Sequence, residues 1–145
     1  MPAQAYPNTR ILIVDDEMTM RMVTGRILKQ MGVECVVEAP SGNLALARLR
    51  DEVFDCVVLD WSMPDISGVE VLKAIRADAA LRTIPVLMVT GESTKAKVEE
   101  AISAGADAYI VKPFAAQLFE AKIHALIRKR PSPTSAPTTA APSRA

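Results

Sequence analysis

Apolar residues recur along the chain in five short unbroken runs, separated by stretches that carry the spacing of helices. The runs are Ile11–Val14, Cys35–Val37, Cys56–Leu59, Val86–Val89 and Ala108–Val111. Unbroken rather than alternating apolar character is what a strand covered on both faces requires. Pro85 stands at the mouth of the fourth run, where a strand tolerates proline. The first helix is expected from about Glu17 to Met31 and stops at Gly32, with Met20, Val23, Ile27, Leu28 and Met31 on its buried face. A second starts from a Ser41 cap after Pro40-Ser41-Gly42 and runs through Leu44, Leu46, Ala47 and Leu49. A third occupies roughly Gly68 to Ala77. A fourth follows Ser93 or Thr94, turns Val98, Ala101 and Ile102 inward, and ends near Gly105. The last spans about Ala115 to Lys129 with Leu118, Phe119, Ile123, Leu126 and Ile127 facing in. Strands alternating with helices predict an α/β domain, a parallel sheet with helices on both faces.

Four of the runs end on a chemically loaded residue: Asp15-Asp16 after the first, Asp60 after the third, Thr90 after the fourth and Lys112-Pro113 after the fifth. In an open parallel sheet, ligands bind at the carboxyl ends of the strands, near the point where the strand order reverses. Three carboxylates, a hydroxyl and an ammonium would therefore gather at one edge, a set suited to a divalent cation and a phosphoryl group. Crowded carboxylates repel, and one of them takes up a proton unless a cation neutralises the cluster. Oxygen ligands without histidine or thiolate select a hard ion, and Mg²⁺ is the expected one. Asp15-Asp16 alone would equally suit a helix cap with an acid in its first turn. Asp60 and Lys112 at matching strand ends favour the site.

Composition narrows the picture. The 145 residues, half of them apolar, suffice for one domain with a buried core. A formal net charge of zero gives no field for nucleic acid or an anionic membrane. No apolar stretch approaches the roughly 20 residues that span a bilayer. The amino terminus, with Pro2, Gln4, Pro7 and Asn8, does not read as a secretion signal, so a cytoplasmic protein is expected. Cys35 and Cys56 fall inside strands with no metal-type spacing and are expected to be reduced core residues. Residues 1–9 read as an extension and 10–130 as the domain. Residues 131–145, built from Pro, Ser, Thr, Ala and one Arg, read as a disordered tail. His124, in the last helix, is far along the chain from any acidic motif and is expected to be an ordinary, partly exposed helix residue. Arg128-Lys129-Arg130 suits the negative end of that helix.

Taken together, Asp15-Asp16, Leu59-Asp60-Trp61-Ser62-Met63-Pro64, Gly68, Val89-Thr90-Gly91-Glu92 and Tyr109-Ile110-Val111-Lys112-Pro113 resemble the receiver domain of bacterial two-component response regulators, of the single-domain chemotaxis type. The resemblance covers about Arg10 to Arg130. It implies a flavodoxin-like, doubly wound (βα)5 fold with strand order 2-1-3-4-5. It implies that Asp60 takes a phosphoryl group from a phosphohistidine. Mg²⁺ would be held by Asp16, Asp60 and the backbone carbonyl of Ser62, with Asp15 reaching it through water. Lys112 pairs with the acceptor and then with a phosphoryl oxygen, Thr90 closes onto the phosphoryl group, and Tyr109 swings in behind the Thr90-Gly91-Glu92 loop. A cis Lys112–Pro113 bond is implied as well, whereas Gly68 is expected to serve the turn before the third helix. The implied partners are a histidine kinase or phosphotransfer protein and a downstream protein target, a flagellar motor or another relay component. The expected protein is a stand-alone monomeric regulator, not a turnover enzyme.

Two features are particular to this chain. Ser62 stands where chemotaxis relatives often carry Asn, and Gly91 where Ala is common; Ser62 and Glu92 are expected to tune phosphate lifetime. Met18 and Met22 lie about 40° apart on the first helix by its 3.6-residue period. With Gly25 they are expected on an outward face beside the acidic pocket, docking a kinase or phosphotransfer helix. Three other classes are weaker. An aspartyl-phosphate phosphohydrolase would carry an acid where Ser62 stands. A pseudo-receiver scaffold is at odds with intact Asp16, Asp60, Thr90 and Lys112. A DNA-binding regulator truncated after its linker is compatible with the Pro/Thr/Ala tail, but no helix-turn-helix pattern remains in the chain.

Overall fold

The computed structural model describes residues 6–91 and 94–129. Strand and helix alternate along them: β1 (Tyr6–Val14), α1 (Met18–Gln30), β2 (Val33–Ala39), α2 (Gly42–Asp51), β3 (Cys56–Asp60), α3 (Gly68–Ala77), β4 (Val86–Thr90), α4 (Lys95–Ala104), β5 (Ala108–Val111) and α5 (Ala116–Lys129). The five strands are parallel in the order β2-β1-β3-β4-β5. The chain moves outward from β1 to β2 and then returns to β3 on the other side of β1. The order therefore reverses between β1 and β3, and a crevice opens at their carboxyl ends.

Successive strand residues point to opposite faces, and each face has its own core. Leu12, Val14, Val57, Leu59, Val86 and Met88 pack with Ala45 and Leu49 of α2, Val71, Leu72 and Ile75 of α3, and Ala101 of α4. Ile11, Ile13, Val58, Leu87 and Val89 pack on the other side with Ile27 and Leu28 of α1 and Phe119, Ile123 and Leu126 of α5. Helix starts follow the capping chemistry of the sequence: Ser41, Ser67 and Thr94 each accept a backbone N–H three residues on. Gly105, with φ 109°, ends α4, and Gly32, with φ 90°, follows α1.

The structure departs from the sequence pattern at a few positions. β1 starts at Tyr6, so the last four residues of the expected extension belong to the sheet. Its register shifts between Tyr6 and Arg10; the Tyr6 N–H donates to the Gly32 carbonyl, and the Tyr6 hydroxyl meets Nδ1 of His124. On α1, Val23 is exposed and Thr24 takes a buried place, its hydroxyl donating to the Met20 carbonyl over 2.8 Å. Ile102 and Leu118 are also exposed rather than inward. Each lies 100° around its helix from a neighbour that occupies the narrow buried stripe, Ala101 on α4 and Phe119 on α5. Cys56 is buried and Cys35 half-buried, both as free thiols. Among the described residues, no helix is long and apolar enough to cross a membrane. The residues from 130 on, with the expected tail, lie outside the described ones.

Candidate functional site

Strand register brings the loaded ends together. Val14 pairs with Leu59, so Asp15 and Asp60 emerge side by side where β1 and β3 end. Asp60 pairs with Val89 and Thr90 with Val111, which places Thr90 one residue beyond Asp60's partner and Lys112 one beyond Thr90's. Asp15, Asp60 and Thr90 are buried, whereas Asp16 is exposed. One carboxylate oxygen from each of Asp15, Asp16 and Asp60 lies within 4.8 Å of the others. Lys112 Nζ stands 3.1 Å from Asp60 Oδ1, 3.5 Å from Asp15 Oδ2 and 3.9 Å from Glu17 Oε1.

The charges set each other. Burial, and then the neighbouring Asp15 carboxylate, push the Asp60 carboxyl from an ordinary 3.8 up to about 6, against the pull of Lys112. Burial draws the Lys112 ammonium down, but its hydrogen bond to Asp60 and the charges of Asp60, Asp15 and Glu17 outweigh that and hold it above its usual value. Among the described residues, Lys112 is the one ammonium set against the clustered carboxylates of Asp15, Asp16 and Asp60. The set is hard, oxygen-only and net negative, which is the donor chemistry a Mg²⁺-sized cation takes.

Backbone contacts hold the loops in place. Asp15 Oδ1 accepts the Glu17 N–H at 2.9 Å, and Arg21 Nη1 donates to the Asp15 carbonyl at 2.7 Å. After β3, the Trp61 N–H donates to the Val89 carbonyl and the Trp61 carbonyl accepts from Gly68 at 2.7 Å. Gly68 was expected to serve only a turn, but a Cβ there would lie 2.2 Å from the Asp60 carbonyl oxygen and 2.9 Å from Trp61 Cα. The absence of a side chain is what lets α3 press against the backbone of Asp60. Asp65, further along the loop, accepts the N–H groups of Gly42 and Asn43 at 3.1 and 2.8 Å and so ties the loop to the start of α2. These bonds, that from Asn43 first, hold its carboxyl down at about 2. Lys97 of α4 places Nζ 4.3 Å above the Trp61 ring. The Lys112–Pro113 peptide is cis.

The remaining expected residues are more dispersed. Ser62 is exposed on the loop after Asp60, and Tyr109 is half-buried against the α2–α4 core. Glu92 lies outside the described residues. Met18 and Met22 are 64% and 55% exposed, as expected of an outward face. Gly25 departs from that expectation: it is half-buried, and a Cβ there would sit 3.8 Å from Ile13 of β1. Met22 instead shares an apolar groove with Val23, Ile27 and Phe114, between α1 and the start of α5. Glu17, Arg21, Asp65 and Lys97 were not legible as site residues, because each acts through a partner distant in sequence or through the backbone.

Comparison with known proteins agrees with this geometry. Residues 11–124 match the family described as the response regulator receiver domain. The chemotaxis protein CheY of Pseudomonas aeruginosa is 42% identical over 120 residues, 83% of this chain and 97% of that protein. Chemotaxis protein CheY-3 of Vibrio cholerae is 42% identical over 129 residues, 89% of this chain and 99% of its own length. Among solved structures, Vibrio cholerae CheY4 is 30% identical with a TM-score of 0.77, covering 81% of this chain and 98% of that one. A putative response regulator from Chloroflexus aurantiacus is 28% identical with a TM-score of 0.80, covering 83% and 98%. The strand order, the gathered strand ends and a match over most of the length lead to one conclusion: the chain belongs to the response regulator receiver domain family.

Proposed function

We propose that this protein accepts a phosphoryl group on Asp60 from a phosphohistidine of a histidine kinase or phosphotransfer protein, and passes the signal on by protein–protein contact. The observation that carries this is the buried Asp60 carboxylate with Lys112 Nζ at 3.1 Å and two further carboxylates beside it. An Asp60 oxygen attacks phosphorus; the P–N bond breaks as the P–O bond of an acyl phosphate forms, and the imidazole leaves and is protonated. Lys112 then leaves Asp60 for a phosphoryl oxygen. Asp16, Asp60 and the Ser62 carbonyl would hold Mg²⁺ directly, and Asp15, already engaged by Lys112 and the Glu17 N–H, through water. When bound, the ion would neutralise the carboxylates and the incoming phosphoryl oxygens. Positioning and charge neutralisation supply most of what phosphoryl transfer needs.

The readout is a switch. The acyl phosphate replaces the single carboxylate charge of Asp60 with about 1.5 to 2 negative charges on phosphoryl oxygens; Thr90 closes onto them, its loop follows, and Tyr109 moves in behind. Ser62 and Glu92 set the lifetime of the acyl phosphate. The phosphodonor helix docks on Met18 and Met22 of α1, with Gly25 at the patch's edge. The chain acts as a cytoplasmic monomer, toward a flagellar motor or another relay component, and without turnover of an external substrate. Radiolabel transfer from a purified histidine kinase tests the core of this: label on the parent and none on Asp60→Asn is expected. Equal labelling of both would refute it. Ser62→Asn should change the rate of label loss, and Met18→Ala with Met22→Ala should slow transfer from the kinase.

A further inference from the structure

Asp16 is the exposed member of the acidic cluster, and among the described residues no side chain bonds its carboxylate. Its position is therefore set by the backbone that carries it. One end of that backbone is held: the Asp15 N–H donates to the Ala39 carbonyl at 3.1 Å, which ties it to the end of β2. The other constraint is Arg21, one turn into α1 and half-buried. Nη1 donates to the Asp15 carbonyl at 2.7 Å, and Nε donates to Glu38 Oε1 at 2.9 Å. The carbonyl of Asp15 belongs to the planar peptide that joins it to Asp16. A guanidinium anchored on Glu38 therefore fixes the plane of that peptide, and with it the direction in which the Asp16 side chain leaves the chain.

We infer that Arg21 is a positioning residue for the metal ligands: it orients the Asp15–Asp16 peptide so that the Asp16 carboxylate faces Asp60. The inference rests on the Mg²⁺ reading of the cluster. It carries a sign that simple electrostatics contradicts. Removing a positive charge beside a cation site should, by Coulomb's law alone, tighten cation binding, whereas loss of the positioning bond should weaken it.

The test is Mg²⁺ affinity, measured by titration calorimetry on the unphosphorylated protein, with folding followed separately by circular dichroism. Arg21→Met should bind Mg²⁺ about tenfold more weakly, the lower end of what outer partners of metal ligands contribute. Arg21→Lys keeps the charge but has one donor nitrogen in place of a planar fork, so it cannot hold the carbonyl and Glu38 in the same geometry and should fall between Arg21→Met and the parent. A folded Arg21→Met that binds as tightly as the parent, or more tightly, overturns the inference. If Arg21→Met fails to fold, Arg21→Lys decides, and parental affinity in it overturns the inference too. Asp16→Asn reports on the underlying reading. If the parent binds no Mg²⁺, or Asp16→Asn binds it as well as the parent, the metal assignment falls and the role of Arg21 falls with it.

Discussion

Asp60→Asn should make the protein more stable at neutral pH, and the gain should vanish on acidification. Asn has the size of a protonated aspartate but cannot ionise. In the folded protein, burial and Asp15 lift the Asp60 carboxyl from 3.8 to about 6 in spite of Lys112. Between those two values the folded state binds more protons at this position than the unfolded chain does, so stability falls as pH rises through the window. Below 3.8 the group is protonated in both states and costs nothing; above about 6 it is ionised in both, and the full penalty stands. At roughly 1.4 kcal/mol per pH unit, that penalty is about 3 kcal/mol. The assay is denaturant unfolding of parent and variant across pH, with chelator present so that no cation offsets the repulsion. Taking the difference between the two proteins cancels the titration of the groups that do not interact with Asp60. The variant should match the parent near pH 4 and exceed it by about 1 to 3 kcal/mol at pH 7.5. A variant no more stable than the parent at pH 7.5, or a difference that does not grow across the window, would refute the reasoning.

Three other outcomes are expected. Gly68→Ala forces a Cβ to 2.2 Å from the Asp60 carbonyl, so helix and Asp60 backbone must separate by about 1 Å. A stability loss of about 1 to 3 kcal/mol by denaturant unfolding and a drop of about a hundredfold in phosphoryl uptake should follow. Asp65→Ala should lower the melting temperature at pH 5 and above but matter less on acidification. The folded carboxyl titrates at about 2 against 3.8, so its contribution is present above 3.8 and lost as pH falls toward 2; parallel melting curves of parent and variant from pH 5 to 2 check this. Lys97→Met removes the cation over Trp61 and should cost about 0.5 to 1 kcal/mol, with a change in the emission of the sole tryptophan read in the same titration.

The parts of the molecule legible in the sequence are those where one residue type can serve only one environment. Four unbroken apolar runs had to be doubly covered strands, and the residues ending them had to leave the sheet at one edge, as Asp15, Asp60, Thr90 and Lys112 do. Helix faces were less legible, because periodicity marks which residues can be buried, not how wide a stripe the sheet covers. Val23, Ile102 and Leu118 lost their places on that account, and Thr24 gained one because its hydroxyl satisfies itself on its own helix. The supports of the site were hidden for a different reason. Gly68, Asp65 and Arg21 act on backbone atoms, and nothing in an aspartate or arginine codon position says which distant carbonyl or N–H it will meet.

The two-sided core has a cost in information. In a strand with one wet face, a slip of one residue against its neighbour turns apolar side chains into water and is rejected. β3 and β4 are buried at every position, and both faces of the sheet meet apolar cores, so sliding one strand past another by a residue exchanges like for like over most of its length. The ends are what break the degeneracy. A slip in one direction would draw Asp60 or Thr90 among the apolar side chains, and a slip in the other would push Leu59 or Val89 out to the edge. The residues that make this edge reactive thus also act as alignment marks for the sheet. On this view Asp60→Asn leaves the mark legible, whereas an apolar residue at the same position would erase it.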